Sequence, residues 1–386
     1  MDDYPLPEQD RLILDSLERF LARDVAPHVR DFEDPDIYPK AMVDGMAEMG
    51  LFGVTIPEEY GGLGLQCLTY ARITETVSRT WMSLSGTFSS HLIMAEAIRR
   101  FGTDAQREKW LPKFATGEIR GGISLTEPDA GTDLQAITTR AVRDGDSYIV
   151  NGAKMWATNS HEGDILAVLV KTDPDAQPRH SGISLLLIEQ GTPGFPQPKK
   201  LRKLGYRGVD TGEPVFENCR VPVENLIGEV EGEGFKQIMS GLELGRINVA
   251  ARGVGVAQAA LDLAVRYSQE RRTFGKPICQ HQAIQLKLAD MATRVEAARL
   301  LTYRAAMAYD TGERSDMEAG MAKLFATEAA VENSLESMRI HGGYGYSKEF
   351  DVERLYRDAP LLAIGEGTNE LQRIVIARQL IARNPV

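Results

Sequence analysis

The clearest chemistry in the sequence lies near its end, in Ile364-Gly365-Glu366-Gly367-Thr368-Asn369-Glu370. Glycine on both sides of Glu366 lets a ligand come close and leaves the carboxylate uncrowded. A helix is expected to begin at Thr368 or Asn369, which puts Glu366 on the turn before it. A glutamate taken alone is far more often a solvated loop residue than a base, so its company must decide. The turns around Thr126 and around Trp156-Ala157-Thr158 can offer main-chain and hydroxyl groups to a ligand, although either alone reads as hairpin punctuation. Arg271, Thr273, Phe274 and Gln282 read singly as helix-end charge and a loop aromatic, and Gly342-Gly343 as a helix-capping turn.

Together these segments say more. Leu125-Thr126-Glu127-Pro128-Asp129-Ala130-Gly131-Thr132-Asp133 is followed in order by Asn151 to Asn159, by Arg271-Arg272-Thr273-Phe274-Gly275-Lys276-Pro277 with His281-Gln282-Ala283, by Gly342-Gly343-Tyr344-Gly345, and by Glu366-Gly367-Thr368. In that order they resemble the acyl-CoA dehydrogenase family, over essentially the whole chain. The resemblance implies an FAD enzyme with Glu366 as catalytic base. It implies a flavin ring held by Ile123, Ser124, Leu125, Thr126, Gly131, Thr132, Trp156, Ala157 and Thr158, with Trp156 against the ring and Thr158 donating to N5. Thr132 stands where the family usually has Ser and also touches the pantetheine arm. Arg271, Thr273, Phe274 and Gln282 would reach the flavin of an adjacent subunit, which implies a homotetramer or at least a dimer. Arg339, Ile340, His341, Gly342 and Gly343 would hold the adenosine diphosphate portion, with Thr368 and Glu370 completing the cofactor set. Arg339 replaces a common Gln and can pair with pyrophosphate. Glu243, Arg246 and Gly367 join Thr132 as substrate contacts.

The reaction so implied is removal of a proton beside a thioester carbonyl by Glu366 and of a hydride from the neighbouring carbon by the flavin, with an electron-transfer flavoprotein as acceptor. Some relatives carry the base on a helix at the position of Gly245, where glycine has no base to offer. Glu243 is two residues away, about 200° around a helix, and is expected to face elsewhere. The family often has Tyr where Gly365 stands, and Ser83 to His91, which corresponds to a helix lining the acyl pocket, is small and polar. A branched, cyclic or aryl-bearing acyl group is expected over a long straight one. An acyl-CoA oxidase or another oxygen-using flavoenzyme on the same scaffold is the alternative, and a binding protein that keeps only the fold is a third reading, against which an intact Glu366 argues.

The elements that must position these residues follow from proline and apolar spacing. Eight of the eighteen prolines lie between Pro128 and Pro222, whereas 223 to 276 and 278 to 359 have none and can hold long helices. Ile284, Leu288, Met291, Val295, Ala298 and Leu301 recur at helical spacing. The first 120 residues read as helical, with Leu12 to Phe20 and Ile73 to Trp81 as core-facing stretches. Ser147 to Val150, Ile165 to Val170 and Ile183 to Ile188 read as strands between turns. The expected class is α+β: an N-terminal helical domain (1–120), a middle β-barrel or sandwich (121–235) and a C-terminal four-helix bundle (236–386). Helix-rich, strand-rich and helix-rich blocks do not alternate as a doubly wound fold does.

A net charge of −11 with no long Lys/Arg run argues against nucleic acid as partner. Cys67, Cys219 and Cys279 lack paired spacing, so neither disulfides nor a metal site is expected. The acidic, proline-bearing N-terminus matches no targeting segment, and the longest apolar runs fall far short of the ~20 residues that span a bilayer, so a cytoplasmic chain without membrane insertion is expected.

Overall fold

The computed structural model describes residues 6–385. The first block is helical: α1 (Glu8–Phe20), α2 (Val29–Glu33), α3 (Lys40–Glu48), α4 (Cys67–Phe101) and α5 (Asp104–Thr116). α5 begins at a capping box in which the Thr103 hydroxyl accepts from the Gln106 N–H and the Gln106 side chain accepts from the Thr103 N–H. α4 is bent at Trp81, whose φ of −155° and ψ of 105° interrupt the helical backbone. Ser83 to His91 follows directly on that bend.

The proline-free stretches carry α6 (Gly234–Glu270), α7 (Gln282–Asp310) and α8 (Asp316–His341), and α9 (Val352–Ile364) and α10 (Asn369–Arg383) complete the chain. Thr368 is the cap of α10, so that helix begins where the sequence placed it. On α7, Met291, Val295 and Ala298 are fully buried, whereas Ile284, Leu288 and Leu301 are only half-buried. α6 packs against α4, α7, α8 and α9, and is the axis of the helical core. No helix among the described residues is long and apolar enough to cross a membrane.

Between the helical blocks run β1 (Gly121–Ser124), β2 (Arg140–Asp144), β3 (Ser147–Ala153), β4 (Ala157–Thr158), β5 (Ile165–Lys171), β6 (Ile183–Glu189), β7 (Lys199–Lys200), β8 (Thr211–Glu213) and β9 (Val215–Pro222). β5 pairs in parallel with β1, Gly121 opposite Ile165, and antiparallel with β6, Ile165 opposite Glu189. β2 joins β5 in parallel and β3 and β9 continue the sheet antiparallel, while β4, β8 and β7 form a smaller one. Ile165, Ala167 and Leu169 join the helical core, and Leu166, Val168 and Val170 join a second core inside the β region. Both faces of β5 are therefore covered, which is why its sequence is a continuous apolar run instead of an alternating one.

α4 and α7 are tied by a buried charge. The Glu75 carboxylate accepts from Arg299 Nε (3.0 Å) and from the Tyr303 hydroxyl (2.9 Å). Arg299→Leu would strand that carboxylate in the core. The expected loss is about 3–5 kcal/mol, measured as a lower midpoint in urea unfolding; Glu75→Gln/Arg299→Leu together should recover part of it.

Candidate active site

Glu366 sits between the end of α9 at Ile364 and the Thr368 cap, whose hydroxyl accepts from the Leu371 N–H (3.3 Å). Its φ is 53°, a left-handed conformation unfavourable for a side chain with a Cβ, so the surroundings must impose it. They do so through Lys323 on α8. Its ammonium, fully buried, donates to the Ala363 carbonyl (3.2 Å), the Gly367 carbonyl (2.8 Å) and Asn369 Oδ1 (2.9 Å). Burial brings the Lys323 pKa down to about 8. Gln372 Nε2 also donates to the Gly367 carbonyl (3.1 Å).

The carboxylate so aimed lies against α6. A methyl group built at Gly245 would overlap Glu366 Oε2, so the glycine is the space the base occupies. Although Glu366 as a residue is only partly buried, Oε2 is sealed from solvent and has no hydrogen-bond partner. Burial pushes its pKa up to about 7, with Arg252, Lys323 and Arg246 pulling the other way. Glu243 is engaged elsewhere: its Oε1 accepts from the Ser315 N–H (2.7 Å) and hydroxyl (2.9 Å) at the start of α8. Arg246 is ion-paired with Asp316 (2.7 Å).

Deeper on the same side, Asn248 donates to the Tyr70 hydroxyl (2.7 Å) and to Ser89 Oγ (2.5 Å). Tyr206 enters on a left-handed backbone (φ 56°), and its hydroxyl fills the space that a side chain at Gly86 would need. Arg252 lies over the Tyr206 ring, 5.0 Å from its centroid. The hydroxyls of Ser83 to His91 mostly satisfy their own helix, Ser85 bonding to the Met82 carbonyl (2.6 Å) and Thr87 to that of Leu84 (2.8 Å).

The two flavin-type turns form one unit. The Met155 N–H donates to the Thr126 carbonyl (2.8 Å), and Lys154 Nζ donates to the Leu125 carbonyl (3.0 Å) and Glu127 Oε1 (2.8 Å). Burial opposes ionisation of Glu127, but Lys154 and the Thr138 and Thr139 donors outweigh it and bring its pKa down to about 2. Ile123 and Ser124 end β1 beside this unit, and Ser124 Oγ is buried without a partner. Ala157 and Thr158 form β4 against Gly212 and Thr211. Trp156, on a left-handed backbone, is half exposed, and Gly131 and Thr132 are exposed on the loop that precedes Asp133.

A third group surrounds a groove of about 710 Å³ lined by Arg271, Thr273, Phe274, Ile340, His341, Gly342 and Gly343, with Tyr267, His281 and Tyr344. β10 (Arg272–Thr273) and β11 (Lys276–Pro277) make the hairpin on its rim. Phe274 is 96% exposed at the hairpin tip. A Cβ at Gly342 or Gly343 would meet nothing within 4 Å, so both leave the groove open. Gln282 starts α7 beside it, and the Arg339 guanidinium is turned to Glu336. No residue of β1 to β4 or of the Glu366 turn lines this groove. Glu370 is exposed in the first turn of α10.

Family models described as acyl-CoA dehydrogenase N-terminal, middle and C-terminal domains match residues 7–118, 122–219 and 232–381. The chain belongs to the acyl-CoA dehydrogenase family. An acyl-CoA dehydrogenase of Bacillus subtilis (strain 168) is 42% identical over 97% of this chain and 98% of its own. A (2S)-methylsuccinyl-CoA dehydrogenase of Cereibacter sphaeroides is 42% identical over 97% of this chain and 70% of its own. The structure of butyryl-CoA dehydrogenase from Megasphaera elsdenii superposes with a TM-score of 0.95 at 39% identity, covering 98% of this chain and all of that one.

Acyl-CoA dehydrogenases are FAD flavoproteins, and the residues here fit that group. The Thr126 and Thr158 turns present main-chain and hydroxyl groups, Ser124 Oγ lacks a partner, and the Gly342-Gly343 groove is open. Sequence reasoning missed Lys323, Arg252, Tyr206 and the Lys154–Glu127 pair as parts of the site. Lys323 and Arg252 had a signal, each being a lone charge in a run of small and apolar residues.

Because Gly245 is the space beside the base, Gly245→Ala should displace the Glu366 carboxylate while keeping the fold. Flavin bleaching by an acyl-CoA, followed anaerobically, should slow by roughly 10²-fold, with far-ultraviolet circular dichroism unchanged.

Proposed function

We propose that this acyl-CoA dehydrogenase, with FAD bound, oxidises a short acyl-CoA to its trans-2-enoyl-CoA, with Glu366 removing the α proton. The observation that carries the reading is a carboxylate whose Oε2 is sealed from solvent and without a partner, its pKa raised to about 7. A base with that pKa is about half ionised at neutral pH and yet strong enough to take a carbon-bound proton once the resulting charge is stabilised. The main-chain N–H of Glu366 donates to the thioester carbonyl oxygen and stabilises that charge. FAD supplies the two-electron acceptor for hydride leaving the β carbon.

Ile123 to Thr126, Gly131, Thr132 and Trp156 to Thr158 hold the flavin ring, and Thr158 donates to N5. The Arg271 groove takes the cofactor of an adjacent subunit in a homotetramer, supported by its separation from the ring turns of its own chain and by Phe274 standing out of the surface. Arg339, Thr368 and Glu370 complete the cofactor set. Thr132 and Gly367 contact the thioester arm, and Glu243 and Arg246 border it through the Ser315-Asp316 corner that they hold. Electrons leave to an electron-transfer flavoprotein, for which the half-exposed Trp156 marks the approach.

The acyl group is compact and substituted, in the branched, cyclic or aryl-bearing class. A Cβ at Gly365 would press on the Leu361 carbonyl (3.3 Å) but meet no other residue within 4 Å, which leaves room beyond it, whereas the space at Gly245 is taken by Glu366. The butyryl- and methylsuccinyl-CoA dehydrogenases among the relatives are named for small acyl groups.

Glu366→Gln should keep FAD and bind acyl-CoA but lose flavin reduction by about 10²–10⁴-fold. In the unmodified enzyme, kcat/KM should rise with pH through about 7 as Glu366 ionises, and a pH-independent rate from 5.5 to 8.5 would refute the assignment. Arg271→Ala should lower FAD content and the assembled fraction together, read by flavin absorbance and light scattering; a stable monomer with stoichiometric FAD would contradict the shared site.

A further inference from the structure

Arg252 has no role in the reaction so far described, and its surroundings are unusual for a buried cation. The residue is 5% exposed; its guanidinium meets the Tyr206 hydroxyl, but Nε and Nη2 are sealed from solvent with no hydrogen-bond partner. Among the described residues no carboxylate forms an ion pair with it, although Lys323 and Arg246 both have partners. A buried guanidinium left without a counter-charge is strongly disfavoured unless something else supplies one.

Its position says what that is. Seven residues separate Arg252 from Gly245, about 20° short of two full turns, so both project from the same side of α6. Gly245 abuts the carboxylate of Glu366, and Arg252 is one of three cations, with Lys323 and Arg246, that act on that carboxylate. The axial separation is about 10 Å, and helical side chains lean toward the N-terminus, which brings the guanidinium back toward the base. Asn248 lies on the same side between them, with its Oδ1 buried and unpartnered. The floor beyond Arg252 is the Tyr206 ring, whose hydroxyl seals against Gly86. An acyl group whose α carbon met Glu366 and which lay along α6 would reach this arginine.

We infer that the acyl pocket takes a short dicarboxylic acyl group, of four or five carbons, whose terminal carboxylate is held by Arg252. This rests on the acyl-CoA dehydrogenase reading of the same site and names its substrate class. The terminal carboxylate forms a charge-assisted, two-pronged pair with the guanidinium and is not changed in the reaction. The α proton goes to Glu366 and the β hydride to FAD as before. Binding such a substrate also neutralises Arg252, whose pull holds the Glu366 pKa down, so the right substrate makes its own base stronger.

The test uses the FAD-loaded enzyme and compares glutaryl- and methylsuccinyl-CoA with butyryl-CoA in anaerobic flavin bleaching and in kcat/KM, for the unmodified protein, Arg252→Gln and Arg252→Lys. A dicarboxylyl ester should be preferred. Arg252→Gln should cut the dicarboxylyl-to-butyryl ratio by about 30-fold or more, mainly through KM, and Arg252→Lys should restore part of it. Titration calorimetry with the non-reacting Glu366→Gln enzyme should show the same ratio in dissociation constants. Preference for butyryl-CoA, with a ratio unmoved by Arg252→Gln, overturns the inference and leaves the dehydrogenase reading intact. Equal loss for every ester, with a shifted pH midpoint, also overturns it and makes Arg252 a positioning residue for Glu366. If Arg252→Gln does not retain FAD, the substrate order of the unmodified and Arg252→Lys enzymes decides alone. Bleaching by none of the esters would instead defeat the parent reading.

Discussion

A carboxylate oxygen, Glu366 Oε2, that stays out of water and yet stays unpaired is the constraint around which this protein is arranged. Any hydrogen bond or ion pair that satisfied Glu366 would also lower its basicity. Its isolation has to be enforced from outside, and three elements do so. α8 supplies Lys323, which grips the main chain on both sides of the turn without touching the carboxylate. α6 supplies a glycine as the receiving surface, and Gly367, at φ 89°, permits the bend. The long helices are therefore tools for fixing one strained turn, since only a packed bundle can over-determine a left-handed glutamate.

The β region meets a different demand, which is to hold two irregular turns rigid without any regular ladder between them. The Lys154–Glu127 pair does this from inside. Lys154 is fully buried, its partner carboxylate takes donors from Thr138 and Thr139, and the pair reaches both the Leu125-Thr126 and the Met155 segments. Breaking such a pair leaves an uncompensated charge, so the two turns are held more firmly than loop backbone alone would allow. Behind them, β5 and β6 are covered on both faces, and the turns thus stand on the most deeply buried strands of the chain.

Much of this was legible in the sequence, for reasons that differ by residue. Proline spacing gave the long helices, continuous apolar runs gave β5 and β6, and glycines around Glu366 marked the turn. What stayed hidden were pairings across long stretches of chain. Nothing in the sequence links Lys323 to the Ala363 and Gly367 carbonyls that close on it, or the Tyr206 hydroxyl to Gly86. The polar stretch from Ser83 to His91 shows the converse. Its hydroxyls looked like pocket lining, but most bond within α4, and the polarity near Glu366 comes instead from Asn248, Tyr70 and Arg252.

The placement of charge around Glu366 carries one step more. Three cations act on the carboxylate, but they are not equivalent. Lys323 is occupied by carbonyls and Asn369, and Arg246 by Asp316, so their influence is fixed by the fold. Arg252 meets only the neutral Tyr206, with Nε and Nη2 unpartnered, and its influence depends on what enters the pocket. A neutral acyl tail would bury it further and raise the penalty for its charge, whereas an anionic tail would relieve both the arginine and the base. Selectivity for charge at the far end of the substrate and basicity at the near end are then one electrostatic property, set by a single side chain on the same side of α6 as the glycine that receives Glu366.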